Sequence, residues 1–381
     1  MATPSRPSTP SRPGRILILN ERDSEHPGAG GAEVHVDEVS KRLAARGYDI
    51  TLLSSRFPGA QPVAEIAGMR VRRVAGLSTY YPRTAWACWQ ETRQGRYDVV
   101  VEHLCKLPHL SPRYAAVPVV AVCHHLFGRA AFLQVAWPIA ATVWSVERLI
   151  PYAYRRALFV AVSGSTKDDL VHRGVAAERI RIVHNGITMP ERPPTLLAKR
   201  RRRVVYLGRL EPYKRVDVML RAVARVVDRF PDLEVRVIGR GQSRAALEQV
   251  ARELGLAERT HFVGFVSDAE RDRILADARV CVCPSVKEGW GLTVIESNAV
   301  GVPVVATDAP GLRDAVRDGE TGFLVPDADV AAFADRIARL LGDDALAARM
   351  SDAAATWARG FTWDAAADGM ERVLDEAHAR C

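Results

Sequence analysis

Two carboxylates, Glu288 and Glu296, stand eight residues apart in the run Glu-Gly-Trp-Gly-Leu-Thr-Val-Ile-Glu, across a glycine-rich turn. Before the turn, Val280-Cys-Val-Cys-Pro284 alternates as a short strand stopped by proline, and after it Thr293 to Ala299 reads as a helix. Strand, loop and helix in that order leave backbone amides at Gly291, Leu292 and Thr293 at the positive end of the helix, where a diphosphate binds without any side chain. Glu288 is then placed to accept hydrogen bonds from sugar hydroxyls and Glu296 to reach a ribose. The chemistry suggested is recognition of a sugar nucleotide. The plainer alternative is that Glu296 only complements the helix dipole and Glu288 is solvated.

Two cations fit the same chemistry. Arg209 and Lys214 lie in Gly208-Arg-Leu-Glu-Pro-Tyr-Lys-Arg215, directly after an apolar strand, so both point from a strand's carboxyl end. A leaving nucleoside diphosphate gains charge as its glycosidic bond breaks, and fixed cations stabilise that charge in the transition state. Two glycine clusters, Gly28-Ala-Gly30-Gly31 and Gly239-Arg-Gly241, imitate a dinucleotide fingerprint without completing it, because Glu33 and Arg244 stand where the third glycine belongs. A nicotinamide cofactor is therefore disfavoured, but Gly30 and Gly31 still permit a phosphate or a reacting sugar to approach backbone amides. His124 and His125 end the apolar run Val117 to Cys123, and either is placed to meet a sugar near its anomeric carbon. No spacing of His, Cys or acidic residues suggests a metal site. Asp327-Ala-Asp329 precedes an apolar-periodic helix and reads as its cap.

The elements that must position these groups alternate along the chain. Strands are expected at Ile16–Leu19, Ile50–Ser54, Val71–Val74, Val99–Glu102, Val117–Cys123, Phe159–Val162 and Ile180–Val183, with a helix from about Glu33 to Arg46 whose stripe is Val36, Val39 and Leu43. A proline-containing and then strongly basic segment, Met189 to Arg203, marks a domain boundary. A second set follows: strands at Val204–Leu207, Val235–Ile238, His261–Phe265, Val280–Cys283, Val304–Thr307 and Gly322–Val325. Between the early ones lie helices over Val216–Phe230, Ser243–Leu254 and Asp268–Ala278, and three helices close the chain. The pattern implies an α/β protein of two doubly wound parallel sheets facing each other, with ligands in the cleft at the strands' carboxyl ends.

The whole-chain properties agree. At 381 residues the chain is long for a single core and suits two domains. The net charge of +8, carried by Arg far more than Lys, favours phosphates or acidic headgroups. No aromatic-interleaved basic motif points to nucleic acid. Six cysteines, at 88, 105, 123, 281, 283 and 381, form no framework and read as reduced residues of a cytoplasmic protein. Residues 1–13 read as a disordered tail without a signal-peptide core, and Ala130 to Val146 falls short of a membrane span.

Taken in order, these motifs resemble those of the retaining glycosyltransferases of family 4, which have the two-domain GT-B fold. The resemblance runs from about Arg15 to the C-terminus and is carried by Gly30-Gly31, His124, Val162-Ser163, His184-Asn185-Gly186, Gly208-Arg209 with Lys214, Gly239, Val263-Gly264-Phe265 and the span Glu288 to Glu296. It implies that Arg209 and Lys214 hold the diphosphate, that Glu296 holds the ribose, and that Glu288 with Gly289, Trp290, Gly291, Leu292 and Thr293 holds the donor sugar. It further implies that the backbone near Phe265 and Val266 brackets the base, that Gly30 and Gly31 lie under the diphosphate and sugar, and that His124 sits by the donor sugar. His125 follows it where many relatives have aspartate, and His184 stands where proline is common. The expected division is a tail over 1–13, an acceptor-binding domain over 14–188 and a nucleotide-sugar-binding domain over 189–361. A last helix at about 362–381 packs back on the first domain.

The implied activity is retaining transfer of a hexose-type sugar from a UDP- or GDP-sugar, without metal or other cofactor, to a small-molecule, lipid or glycan acceptor. A sugar-nucleotide epimerase of the same fold, or a non-catalytic sugar-nucleotide-binding protein, is the alternative. Tyr80-Tyr81-Pro82, Trp86, Trp89 and the stretch Phe127 to Trp144 offer surface for the acceptor, and the last of these, with the basic balance, for an anionic membrane. Ordinary packing is the competing use of the same residues.

Overall fold

The structure, a computed structural model, describes residues 13–104, 107–126, 128, 137–191 and 194–380. Residues 1–12 of the expected tail, Cys105, Cys381, and the residues 127 and 129–136 of the apolar stretch lie outside these, whereas Pro13, counted in the tail, is described and buried. The first sheet is formed by β1 (Arg15–Leu19), β2 (Asp49–Ser55), β3 (Val63–Ile66), β4 (Met69–Ala75), β5 (Val99–His103), β6 (Val119–Cys123), β7 (Leu158–Ala161) and β8 (Ile180–Ile182), in the order β3-β4-β2-β1-β5-β6-β7-β8. Its helices are α1 (Gly31–Ala45), α2 (Leu77–Arg93), α3 (Trp137–Glu147), α4 (Ile150–Ala153) and α5 (Gly164–His172). All its pairings are parallel except β3 with β4, an edge hairpin that the sequence reading missed. Its strand Val-Ala-Glu-Ile is half exposed and too short to show a clear period.

The second sheet has the order β11-β10-β9-β12-β13-β14, all parallel, from β9 (Arg203–Leu207), β10 (Glu234–Ile238), β11 (Thr260–Gly264), β12 (Val280–Cys283), β13 (Val304–Thr307) and β14 (Gly322–Val325). Its helices are α6 (Val216–Ala224), α7 (Arg244–Glu253), α8 (Asp268–Ala276), α9 (Leu292–Ala299), α10 (Leu312–Ala315), α11 (Val330–Gly342) and α12 (Asp344–Ala358). The chain starts at a central strand, β9, and winds out on both sides, so strand order reverses between β9 and β12. A crevice opens there at the carboxyl ends. The strands read as near-continuous apolar runs because helices cover both faces.

One helix departs from the expected span. The periodicity over Val216–Phe230 breaks after Ala224, where Val226 leaves the helical region and a 3₁₀ turn, Val227–Arg229, follows. Val226 and Phe230 nevertheless both remain buried in the second core. Asp329 caps α11, its carboxylate accepting from the Ala332 N–H at 2.9 Å, as the cap reading expects.

The last helix, α13 (Trp363–Ala379), returns to the first sheet. Trp363, Ala366, Met370, Val373, Leu374 and Ala377, spaced three and four apart, bury one stripe in the first core beside Val36, Val39 and Leu43 of α1. Ion pairs border the seam, Arg46 to Glu371 and Arg46 to Asp368, both at 2.6 Å, but as half-exposed pairs they contribute little beside the apolar burial. The first domain's core is thus completed by residues more than 150 positions downstream of β8. Trp363→Ala should destabilise the protein by about 3–5 kcal/mol, read as an earlier denaturant transition.

Candidate functional site

The crevice is built from three loops that leave the carboxyl ends of β9, β12 and β13. Backbone hydrogen bonds tie them together: Val286 N–H to Tyr213 O at 3.1 Å, and Glu288 N–H to Pro310 O at 3.0 Å. On this frame Lys214 donates directly to Glu288 Oε1. The pair is largely withdrawn from water, with side chains 12% and 19% exposed. Burial opposes the Lys214 charge, but Glu288 and Tyr213 outweigh it and raise its pKa above the usual lysine value. Arg209 stays exposed, its Nη2 donating to Tyr213 Oη at 3.2 Å, while its own carbonyl accepts from Tyr206 Oη at 2.8 Å. Arg209, Lys214 and Glu288 therefore form one site, although Lys214 and Glu288 stand 74 residues apart in the sequence.

Glycines let the walls close up. A β-carbon on Gly239, at φ +139°, would fall 1.8 Å from Gly208 O, so the β9 and β10 exits touch backbone to backbone. Across the cleft, a β-carbon on Gly289 would fall 2.3 Å from His124 O, so the turn after Glu288 presses on the exit of β6 in the other domain. Gly31 packs beside Leu292, where its β-carbon would meet Cδ1 at 3.1 Å. The Gly30 amide is already used, donating to Glu33 Oε2 at 2.7 Å as α1 begins. Of the two glycines expected to face a phosphate, Gly30 has its amide taken by Glu33.

The two histidines separate. His124 turns inward: its Nε2 lies 3.1 Å from His103 Nδ1 and its ring packs edge-on against His35. Burial first, then His35, His103 and His125, hold its pKa well below the ordinary histidine value. His125 lies instead in the field of Lys287, Glu288, Lys214 and Arg209, and burial followed by Lys287 brings its pKa down to about 4. Both are neutral at pH 7. The charges of the cluster therefore act on His125, whereas His124 packs with His103 and His35.

The helix after the Glu288 turn is α9, and its N-cap Gly291 is left-handed, at φ +69°. Its start at Leu292 puts the amides of Gly291, Leu292 and Thr293 at the helix N-terminus, as expected. The Thr293 hydroxyl lies 3.7 Å from Cys283 Sγ. Trp290, in contrast, points away from the cleft: buried, it stacks on His184 with centroids 4.1 Å apart and meets Phe361 edge-on at 4.9 Å. Its indole belongs to the junction between the domains and leaves only its backbone to the donor side. Glu296 lies one turn into α9, where burial pushes its carboxyl up to about 7 against the pull of Arg271, whose Nη1 donates to Oε1 at 3.0 Å. Phe265 is 73% exposed, with the Arg240 guanidinium 5.5 Å from its ring centre, and Val266 follows it. Both follow the carboxyl end of β11 directly.

Other participants were invisible in the sequence. Lys287 reaches across the cleft, its Nζ donating to Leu126 O at 2.8 Å and meeting Asp169 at 3.2 Å. Asp314 of α10 accepts from the Ser165 N–H at 3.1 Å, at the start of α5. Each sits in an ordinary charged stretch, and only folding reveals the partner. The expected acceptor surface divides: Trp86 and Trp137 are 62% and 72% exposed, whereas Tyr80 is fully buried and donates to Leu53 O at 3.1 Å. Among the described residues, no group of three His, Cys, Asp or Glu side chains is placed to hold a metal ion, and no helix is long and apolar enough to cross a membrane.

Two facing Rossmann-like domains with this cleft define the GT-B class of glycosyltransferase. The family described as Glycosyltransferase Family 4 matches residues 29–189, and that described as Glycosyl transferases group 1 matches residues 189–357. The chain is 32% identical to the D-inositol 3-phosphate glycosyltransferase of Streptomyces scabiei over 96% of its length and 92% of that protein. The protein of that name from Nocardia farcinica is 32% identical, over 94% and 88%. In fold it resembles a sucrose-phosphate synthase from Thermosynechococcus elongatus (TM-score 0.80, 23% identity, 96% of this chain and 100% of that one). It also resembles the Anabaena protein HepE, solved in complex with UDP-glucose (TM-score 0.77, 20% identity, 95% and 99%). The chain belongs to glycosyltransferase family 4 and is an enzyme of that family.

Arg209→Ala or Lys214→Ala should lower turnover by about a hundredfold or more with the fold intact, measured by steady-state kinetics alongside circular dichroism. Gly289→Ala, which puts a methyl group on the His124 carbonyl, should displace the donor loop. It is expected to cost about a hundredfold in kcat/KM while the thermal transition moves little.

Proposed function

We propose that the enzyme transfers a hexose-type sugar, with retention, from a UDP- or GDP-sugar to a hydroxyl of a small polar acceptor. A phosphorylated cyclitol, the acceptor named for its relatives, is the first candidate. The observation that carries this reading is the Lys214–Glu288 pair with Arg209 beside it, at the carboxyl ends of the central strands. Arg209 and Lys214 neutralise the diphosphate, and the α9 amides complete its cradle. Glu288, held by Lys214, is a hydrogen-bond acceptor for sugar hydroxyls and a poor nucleophile.

In this reading the C1–O bond to the diphosphate breaks first, leaving both bonding electrons on the phosphate oxygen. The acceptor oxygen then attacks C1 from the same face, and its proton passes to that phosphate oxygen. Configuration is retained without a covalent enzyme intermediate or a second carboxylate at nucleophile distance. Neutral His125 faces the charged cluster and is placed to meet the acceptor or the sugar edge.

Purified protein with a panel of UDP- and GDP-sugars and inositol phosphates, followed by mass spectrometry and NMR of the new anomeric centre, tests the proposal. A glycoside of retained configuration is expected. An inverted product refutes the mechanism, and turnover of the donor to an isomeric sugar nucleotide without acceptor would make the enzyme an epimerase. Activity should persist in excess chelator, because side-chain cations and helix amides already meet the diphosphate. Strict dependence on added divalent cation contradicts that role.

A further inference from the structure

We infer that Arg271 is the positioning residue for the ribose carboxylate Glu296, gripping one of its oxygens so that the other is presented to the ribose hydroxyls of a nucleoside diphosphate. The inference rests on the donor reading above and assigns a part to a residue that no motif marks. Arg271 lies on α8, which begins just after Phe265 and Val266, so its helix leads from the base end of the crevice to the ribose end.

The guanidinium is fixed from three sides. Its Nη1 donates to Glu296 Oε1 at 3.0 Å and to Asp268 Oδ1 at 2.9 Å, and its Nε and Nη2 both meet Asp272 Oδ1 at 2.9 Å. The Arg271 side chain is 14% exposed, whereas Asp268 is 80% exposed. The aspartates anchor the outer edge of the fork and Glu296 takes the inner one. A fork held at that many points leaves little rotamer freedom, and its planar geometry passes the order on to Glu296. This matters because Glu296 shares α9 with the amides that receive the diphosphate. Ribose and diphosphate are joined by a short covalent link, so amides and carboxylate must hold a fixed spacing, to within about 0.5 Å.

Charge adds a second reason. The charged groups that act on Glu296 are Arg271, Asp268 and Asp272, all from α8, and β12 faces it with the Cys281 thiol. The elements on its other sides, α10, α12 and β13, present no charged group that acts on it. Burial favours the protonated acid, the two aspartates add to that, and Arg271 is the sole opposing charge. Without Arg271 the carboxyl titrates at higher pH, and at pH 7 more of it is protonated and loses acceptor strength toward the ribose.

The test is calorimetric binding of UDP and of GDP from pH 6 to 9 to wild type, Arg271→Gln, Arg271→Lys, Glu296→Gln and the double variant Arg271→Gln/Glu296→Gln. Comparing proteins at each pH cancels the titration of the ligand's own phosphate. In wild type, affinity rises with pH as Glu296 ionises. Arg271→Gln should weaken binding about tenfold at pH 7 and move the rise upward by about one pH unit, and Arg271→Lys should restore much of the profile. With sugar donors the loss should fall on KM more than on kcat. In the Glu296→Gln background, Arg271→Gln should add little, since the partner it positions is gone. An unchanged pH profile in Arg271→Gln, or an equal loss in the Glu296→Gln background, overturns the inference while leaving the donor reading in place. Failure of wild type to bind either nucleotide overturns the donor reading and this inference with it.

Discussion

The Lys214–Glu288 ion pair is the contact on which the site depends. Two opposite charges drawn largely out of water are costly unless each satisfies the other, so the loops after β9 and β12 are locked to one relative position. The backbone bond from Val286 to Tyr213 fixes the same two loops independently. Arg209 hangs from this frame, and α9 starts from its other end. A cation, a carboxylate and a helix N-terminus thus line the crevice with their spacing set beforehand. That is the condition under which electrostatic stabilisation needs no reorganisation during reaction.

The frame also governs how the domains meet. Lys287 and Gly289 flank Glu288 and both touch the β6 exit, one through Leu126 O and the other through His124 O. Trp290, next in line, stacks on His184 where the chain leaves the first domain, and meets Phe361 edge-on where it returns. One short loop therefore carries the carboxylate of Glu288, the cross-cleft contact and the aromatic junction. Movement of one domain against the other must move that loop, which couples access to the crevice with the geometry inside it.

Much of this was legible in the residues. The alternating strands, the crevice at their carboxyl ends, the glycine turn before α9, the placing of Arg209, Lys214 and Glu288 at strand exits and of Glu296 in the helix that follows all follow from local periodicity and turn chemistry, which act over a few residues. The edge strand β3 was not legible, because a four-residue, half-exposed segment has no clear period. The break in Val216–Phe230 was hidden because Val226 and Phe230, four apart and both buried, keep the helical spacing in the sequence where the helix itself has ended.

What the sequence determined by itself was the kind of groups and their place along each strand and helix, since those depend on neighbours in the chain. What only the tertiary structure decided was which groups meet. Adjacent His124 and His125 are alike in sequence, and it is the packing of His103 and His35 beneath one, and of the charged loops beside the other, that separates them. Trp290 reads as a donor-site residue until His184 and Phe361 are brought to it from the two chain crossings. Arg271 reads as one charge in an exposed run until α8 is laid against α9 and sets its guanidinium on Glu296. Contacts between distant segments are fixed by how the cores pack, and no local pattern encodes them.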